Sequence, residues 1–476
     1  MPSIEADSQD RTWCWNGVCK ALISNGQDVA LDPFGRPGSK RVCTGLRARL
    51  GALLQPFAVI GRRATVGALF VCLVNSPAIH AAAAQEAAVP AEVQAALSPA
   101  QLESYRAYLV ARAAFERQLD MYWALIEERR DLRRRKFAAR QPFTRTDYVT
   151  EYPPQYTGPP LTPDIAAIVQ RTEPPRPPAE ELPNLADFLR FAEEHYGFRP
   201  TRVSEREFKR RYAAEALAAG LTAEQVVMVY ALETGGRGTY DMQAGINPIT
   251  KQGRPISSAL GYAQLLNANS VSELVKHGDD FISQLEVMAS QPAVSADRRA
   301  ELIGKAAVLR RMLRVARSVP NQWSRHVELG RTPRGSGIHA LNLDADIGPK
   351  LQVLKLKGIV EFAARDGINQ LSGPELELMN LAGPRTGLEM MQPLGSAMPT
   401  SNFFSRRGYY RNTIVRGKTG ADLLKSIEER IAAGLRQQGS QDFLAAFREV
   451  AGSDVSMSES APKPRPAMAL PPDTKP

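Results

Sequence analysis

The sequence has no cysteine after Cys72. Its four thiols, Cys14, Cys19, Cys43 and Cys72, all precede residue 85 of 476. That excludes a disulfide framework or a thiolate metal site from the rest of the chain, a usage common in exported bacterial proteins. The apolar run Ala64–Val74, at 11 residues, is too short for a transmembrane helix, which needs about 20. No alternation of apolar and polar residues persists beyond four or five positions, so the expected class is mainly α. The formal charge of +10 is dispersed, with no dominating basic block, and no nucleic-acid partner is expected. The chain also lacks a glycine-rich phosphate loop, a His-Glu-x-x-His pattern and a Ser-His-Asp grouping. No metal or cofactor is expected, and the scattered His195, His277, His326 and His339 read as structural or surface residues.

What is present falls into blocks. Arg62 and Arg63 precede the apolar run, and Pro77 and the small residues Ala81–Ala84 follow it. This describes a secretory signal peptide over 62–84, with 1–61 as an upstream extension, and places the mature chain in the periplasm. Residues 85–140 are expected to hold one long helix, starting at Ser98, Pro99 and Gln101. Leu102, Tyr105, Leu109, Phe115, Leu119, Tyr122 and Ile126 form its stripe, and Arg129–Lys136 its basic end. That end reads either as cations favoured by the helix dipole or as a docking face for a protein partner or an anionic surface. The proline pairs between 141 and 183 describe an extended, semi-rigid linker. A helical body is expected over 184–451, and a disordered tail poor in apolar residues over 452–476.

Within the body, Asn184, Ser204 with Glu207, Thr222 with Gln225, and Ser372 with Glu375 have the spacing of helix starts. Further helices are expected over 270–290, 297–317, 346–365, 373–382 and 420–450. The many arginines of 297–317 read as a solvated face, with contact to an anionic wall as the alternative. Glu233 ends the apolar helix that Thr222 begins, and Gly235 and Gly236 follow as the stop. A partly buried carboxyl at a helix end keeps its proton near neutral pH and can give it to a leaving oxygen. The glycines would leave room for a polymer chain to lie against the helix end. A second helix start is expected at Gly261-Tyr262-Ala263-Gln264. The loop residue Asp241 is a turn former or, if it faced Glu233 across a cleft, a second carboxylate.

Three short elements resemble those of the lytic transglycosylases in the goose-type lysozyme superfamily: Glu233 at a helix end, Gly261-Tyr262-Ala263-Gln264, and Asn380-Leu381-Ala382-Gly383-Pro384. The family patterns are Glu-Ser, Gly-Leu-Met-Gln and Ala-Tyr-Asn-Ala-Gly-Pro. Asn380 therefore stands at the family's tyrosine and Leu381 at its sugar-contacting asparagine. The resemblance implies a lysozyme-like helical domain and cleavage of the MurNAc–GlcNAc bond of peptidoglycan glycan strands. It implies a single acid/base, Glu233, because the muramic acid's acetamido oxygen and 6-hydroxyl do the work of a second carboxyl. It further implies substrate contacts at Gly261, Tyr262, Gln264, Asn380, Ala382 and Gly383. Tyr409 or Tyr410 would stand for the family's late tyrosine that orients the acid. The alternative is a catalytically silent wall-binding or scaffold protein of the same fold.

Overall fold

A computed structural model of the protein describes residues 89–172 and 181–452. The expected extension, signal peptide and, apart from Gly452, tail lie outside those residues. Among the described residues the structure is mainly α, with isolated bridges in the loops and no strand. The chain divides into two compact units.

The smaller unit holds the described residues up to Ala124 together with 153–172. The long helix runs Pro99–Ala138. Its start is closed by reciprocal bonds, Ser98 N–H to Gln101 Oε1 at 3.1 Å and Gln101 N–H to Ser98 Oγ at 3.4 Å. Val93, Leu97, Tyr105 and Ile165 form the core of this unit. Ile165 belongs to the helix Pro163–Thr172, which replaces part of the expected extended linker. Its proline takes the first helical position, where a missing N–H costs nothing.

The larger unit holds Leu125–Tyr152 and the described residues from 181 onward. One boundary therefore falls inside the long helix, between Ala124 and Leu125, besides the expected ones in the proline-rich segment, and the helix's basic end belongs to the larger unit. Arg133, only 2% exposed, donates to Glu389 Oε1 at 2.6 Å, Asp147 O at 2.9 Å and Asn402 O at 2.6 Å. Its guanidinium also lies 4.4 Å from the Tyr148 ring centroid. Arg130 donates to Phe404 O at 2.5 Å, and burial, then Arg133 and Arg134, push its pKa down to about 10. Lys136 pairs with Asp147 at 2.6 Å. Arg130, Arg133 and Lys136 are thus engaged within their own unit.

The remaining helices start where their caps predict. Asn184, Ser204, Thr222 and Ser372 each accept a bond from the backbone N–H three residues on. They open the helices Leu185–Tyr196, Glu205–Ala218, Ala223–Thr234 and Gly373–Ala382. Tyr230, Tyr262 and Phe443 meet at the centre, with ring centroids 5.1 to 5.4 Å apart. The helix expected over 420–450 is two, Gly420–Leu435 and Gln438–Ala451. The break lets Gly434 and Gly439 pass close to the end of the Glu233 helix. A Cβ at Gly434 would lie 2.4 Å from Ala231 O, and one at Gly439 2.6 Å from Gly236 O.

On the arginine-rich helix Ala296–Ala316 and just past it, Arg299, Arg310, Arg311, Arg314 and Arg317 are exposed, as a solvated face has them, while Lys305 is buried. Lys305 pairs with Asp344 at 2.9 Å and Asp346 at 2.5 Å, and Arg298 with Asp346 at 2.5 Å. Arg311 donates to Tyr196 O at 2.5 Å, and Arg317, just past the helix, pairs with Asp279 at 2.7 Å.

Candidate functional site

Glu233 lies in the last turn of Ala223–Thr234 and is 6% exposed. Gly235 and Gly236 end the helix in the left-handed conformation, with φ of 63° and 71°. The space beside Gly236 is already filled. A Cβ on Gly236 would lie 2.0 Å from Gly434 O and 2.8 Å from Ser440 Oγ. Gly236 thus admits the protein's own 434–440 segment rather than leaving room there for a polymer chain, as the sequence suggests.

The helix Gly373–Ala382 runs beside the Glu233 helix in the same direction. Gln225 Nε2 donates to Leu371 O at 2.8 Å, and Gly373 sits against Met228, where a Cβ would meet its sulfur at 2.4 Å. That close approach brings Asn380, two turns further on, to Glu233: Asn380 Nδ2 donates to Glu233 Oε1 at 2.8 Å. The same nitrogen donates to Glu377 Oε2 at 3.1 Å. Glu377 is fully buried and Asn380 is 7% exposed. The first and third sequence elements therefore meet through the residue that departs from the family pattern. Leu381 and Ala382 are buried beside it, and Gly383, at φ 90°, links this helix to Pro384–Met391.

Residues Gly261–Gln264 form a tight turn, not a helix start, and the next helix begins at Asn267. Leu260 and Leu265 exchange both backbone bonds at 2.9 Å, closing the turn. Gly261 has φ 79°, and a Cβ there would meet Gln352 Nε2 at 2.7 Å. Gln264 adopts φ 42°, a strained conformation for a side chain of its size. Its Nε2 donates to Gly261 O at 2.8 Å and Met242 O at 3.2 Å, which holds the strained turn. Ala263 N–H donates to Gln352 Oε1 at 3.1 Å. Tyr262 is 1% exposed and stands edge-on to Tyr230, one turn before Glu233, at 5.1 Å. Its hydroxyl donates to Glu205 Oε1 at 2.5 Å, and burial, then Glu205, pushes its pKa well above the usual phenol range. Tyr262 thus anchors the turn to the core and does not face a substrate.

Asp241 is held in its own loop. Its carboxylate pairs with Arg202 at 2.6 Å and Lys251 at 3.2 Å and accepts from Thr239 Oγ1 at 2.5 Å. Burial favours the neutral acid, but Thr239, Arg202 and Lys251 outweigh it and hold the pKa below the usual carboxylate value. This ion-paired arrangement is the turn-forming role and not the cleft-facing one. Tyr409 is buried, its hydroxyl accepts from Gly417 N–H at 2.9 Å, and Tyr410 stands edge-on to it at 5.3 Å. Tyr409 is thereby tied to the 412–418 loop, and Asn380 is a residue that binds the Glu233 carboxylate.

One feature escaped the sequence reading. Glu377 lies three residues before Asn380 and so shares its face, the one signal that could have found it. His339, expected to be structural or at the surface, is fully buried. Its Nε2 is 2.8 Å from Ser258 O, which only accepts, so Nε2 carries the proton. Nδ1 is then the acceptor for Ser270 Oγ at 2.8 Å. Burial lowers its pKa to about 4. This neutral imidazole fastens the segment leading into the 260–265 turn.

A groove between Asn267–Ser290 and Ala296–Ala316 is lined by Asp279, Glu286, Arg310, Arg314 and Arg317. None of the candidate site residues, Glu233, Asp241, Gly261–Gln264, Asn380–Gly383, Tyr409 and Tyr410, lines it. Among the described residues there is no group of acids, histidines and cysteines that could hold a metal ion, and no helix long and apolar enough to cross a membrane. Comparison with protein-family models, with characterised proteins and with solved structures finds no match.

Proposed function

We propose that the protein is a lytic transglycosylase exported to the periplasm, cleaving the MurNAc–GlcNAc linkage of peptidoglycan with Glu233 as its single acid/base. The observation that carries this reading is the 2.8 Å bond from Asn380 Nδ2 to Glu233 Oε1. It sets a nearly buried carboxyl at a helix end against the helix that leads into Ala382-Gly383-Pro384. The strained Gly261–Gln264 turn, docked one helical turn away through Tyr262 on Tyr230, adds support.

In this mechanism protonated Glu233 gives its proton to the glycosidic oxygen as the bond to the muramic C1 breaks. The acetamido oxygen stabilises the positive charge at C1. Ionised Glu233 then takes the proton from the 6-hydroxyl, whose oxygen closes on C1. A 1,6-anhydro ring forms, no water is consumed, and Glu233 ends protonated as it began. Asn380 would hold the carboxyl in one orientation through both steps.

The purified protein acting on peptidoglycan is expected to release anhydromuropeptides, and Glu233→Gln to lower their yield by about a thousandfold or more, the scale for losing an essential acid/base group. The second reading, a silent wall-binding protein, is favoured by one observation: the protein's own 434–440 segment fills the space beside Gly236. It predicts co-sedimentation with peptidoglycan and no soluble product from either form.

A further inference from the structure

We propose that Glu377 is a positioning residue of this site, holding the Asn380 amide with its nitrogen toward Glu233. The proposal rests on the reading of Glu233 as the acid/base. An asparagine side chain offers an oxygen that accepts and a nitrogen with two donor hydrogens. At this site Nδ2 donates 2.8 Å to Glu233 Oε1 and 3.1 Å to Glu377 Oε2, so each hydrogen has a carboxyl acceptor.

The two contacts play different parts in a catalytic cycle. Glu233 must be protonated at the start. In that state it has a hydrogen to give, and an amide flipped by half a turn would present its oxygen and take that hydrogen bond. The proton would then point at Asn380 instead of at the glycosidic oxygen. Glu377 opposes the flip, because a flipped amide would set Oδ1 against its acceptor oxygen. Glu377 is fully buried, so it acts through Asn380 and not on the substrate. Its spacing from Asn380 puts both side chains on one face of Gly373–Ala382, where helix geometry fixes their separation.

Three substitutions test this. Glu377→Leu removes the acceptor at similar volume, Glu377→Asp retracts it by one methylene while keeping the charge, and Glu377→Gln keeps an acceptor without the charge. On peptidoglycan, Glu377→Leu and Glu377→Asp are expected to lower kcat by about ten- to a hundredfold at unchanged KM, the scale of one buried hydrogen bond. Glu377→Gln, whose amide can accept or donate and so no longer selects one Asn380 orientation, is expected to fall between Glu377→Leu and the wild type. Wild-type kcat in both acceptor-loss variants would overturn the proposal. A thermal-unfolding cycle pairing Glu377→Gln and Glu377→Leu with Asn380→Ala needs no activity. Non-additive losses in Tm of about 3 °C or more for the leucine pair are expected, and additive losses would refute the coupling. A wild type that releases no anhydromuropeptide would count against the transglycosylase reading, and the cycle would still decide the clamp.

Discussion

Two places in the larger unit bury a pair of carboxylates, and they are held by different kinds of group. Asp344 and Asp346 meet the Lys305 ammonium at 2.9 and 2.5 Å, and Asp346 also meets Arg211 at 2.9 Å. Glu233 and Glu377 meet the amide of Asn380 at 2.8 and 3.1 Å. A cation favours the charged form of its partner: burial alone would raise Asp346, but Lys305 and Arg298 outweigh it, whereas at Asp344 burial outweighs Lys305 and the pKa is raised. An amide fixes direction and carries no charge of its own, which suits a carboxyl that must gain and lose a proton. The first pair ties Glu205–Ala218 and Ala296–Ala316 to the loop at 344–346, and the second faces the proposed chemistry.

Substitutions sharpen this contrast, in descending order of effect. Glu233→Gln is expected to abolish product release, by about a thousandfold or more, while moving Tm by only a few degrees. A Tm loss as large as that of Lys305→Met would make Glu233 a structural acid and break the contrast. Lys305→Met leaves Asp344 and Asp346 without their shared cation and should lower stability by about 3–5 kcal/mol, read from denaturant midpoints. Little change would show that the aspartates are accommodated without it.

His339 supplies the third case, a buried group kept neutral. Its folded pKa is about 4 against an ordinary 6.5. Below pH 6.5 the unfolded chain binds a proton that the folded one refuses. The stability it contributes is therefore present above pH 6.5 and lost by about 3 kcal/mol as pH falls to 4. Denaturation midpoints measured between those limits should show the slope, and His339→Gln should flatten it. The acids Glu207 and Glu301, with pKa values near 2, add their own losses only below their unfolded value of 4.5. Asp241→Asn should matter least, costing under about 1 kcal/mol for a partly solvated ion pair and leaving product yield within about twofold. A fall of more than tenfold would bring Asp241 into the chemistry and contradict a single acid.

Much of the helical framework was legible because capping is local. Asn184, Ser204, Thr222 and Ser372 mark their helix starts in four residues each, and the structure closes each cap. What the sequence misread depends on contacts distant in the chain. Gly235 and Gly236 look like clearance for a substrate, but the segment that needs the space beside Gly236, 434–440, lies about 200 residues away. Tyr262 is expected at the substrate because Gly261-Tyr262-Ala263-Gln264 resembles an element that lines the cleft in the transglycosylase family. Its ring is instead a core residue on Tyr230 and Phe443. Arg133 reads as one of several cations at the helix's basic end, and only the carbonyls of Asp147 and Asn402 reveal why it is buried. Glu377 was missed because a helical glutamate is ordinarily solvated. Of the proposed site, the sequence identified Glu233 and Asn380 but not that one binds the other.

The most direct test of the account is to digest peptidoglycan in water enriched in oxygen-18 and weigh the new muramic ends by mass spectrometry. The account predicts anhydro ends without label, in amounts that vanish in Glu233→Gln. Ends carrying one heavy oxygen would mean that water opens the bond, and would contradict a ring closure driven by Glu233 alone.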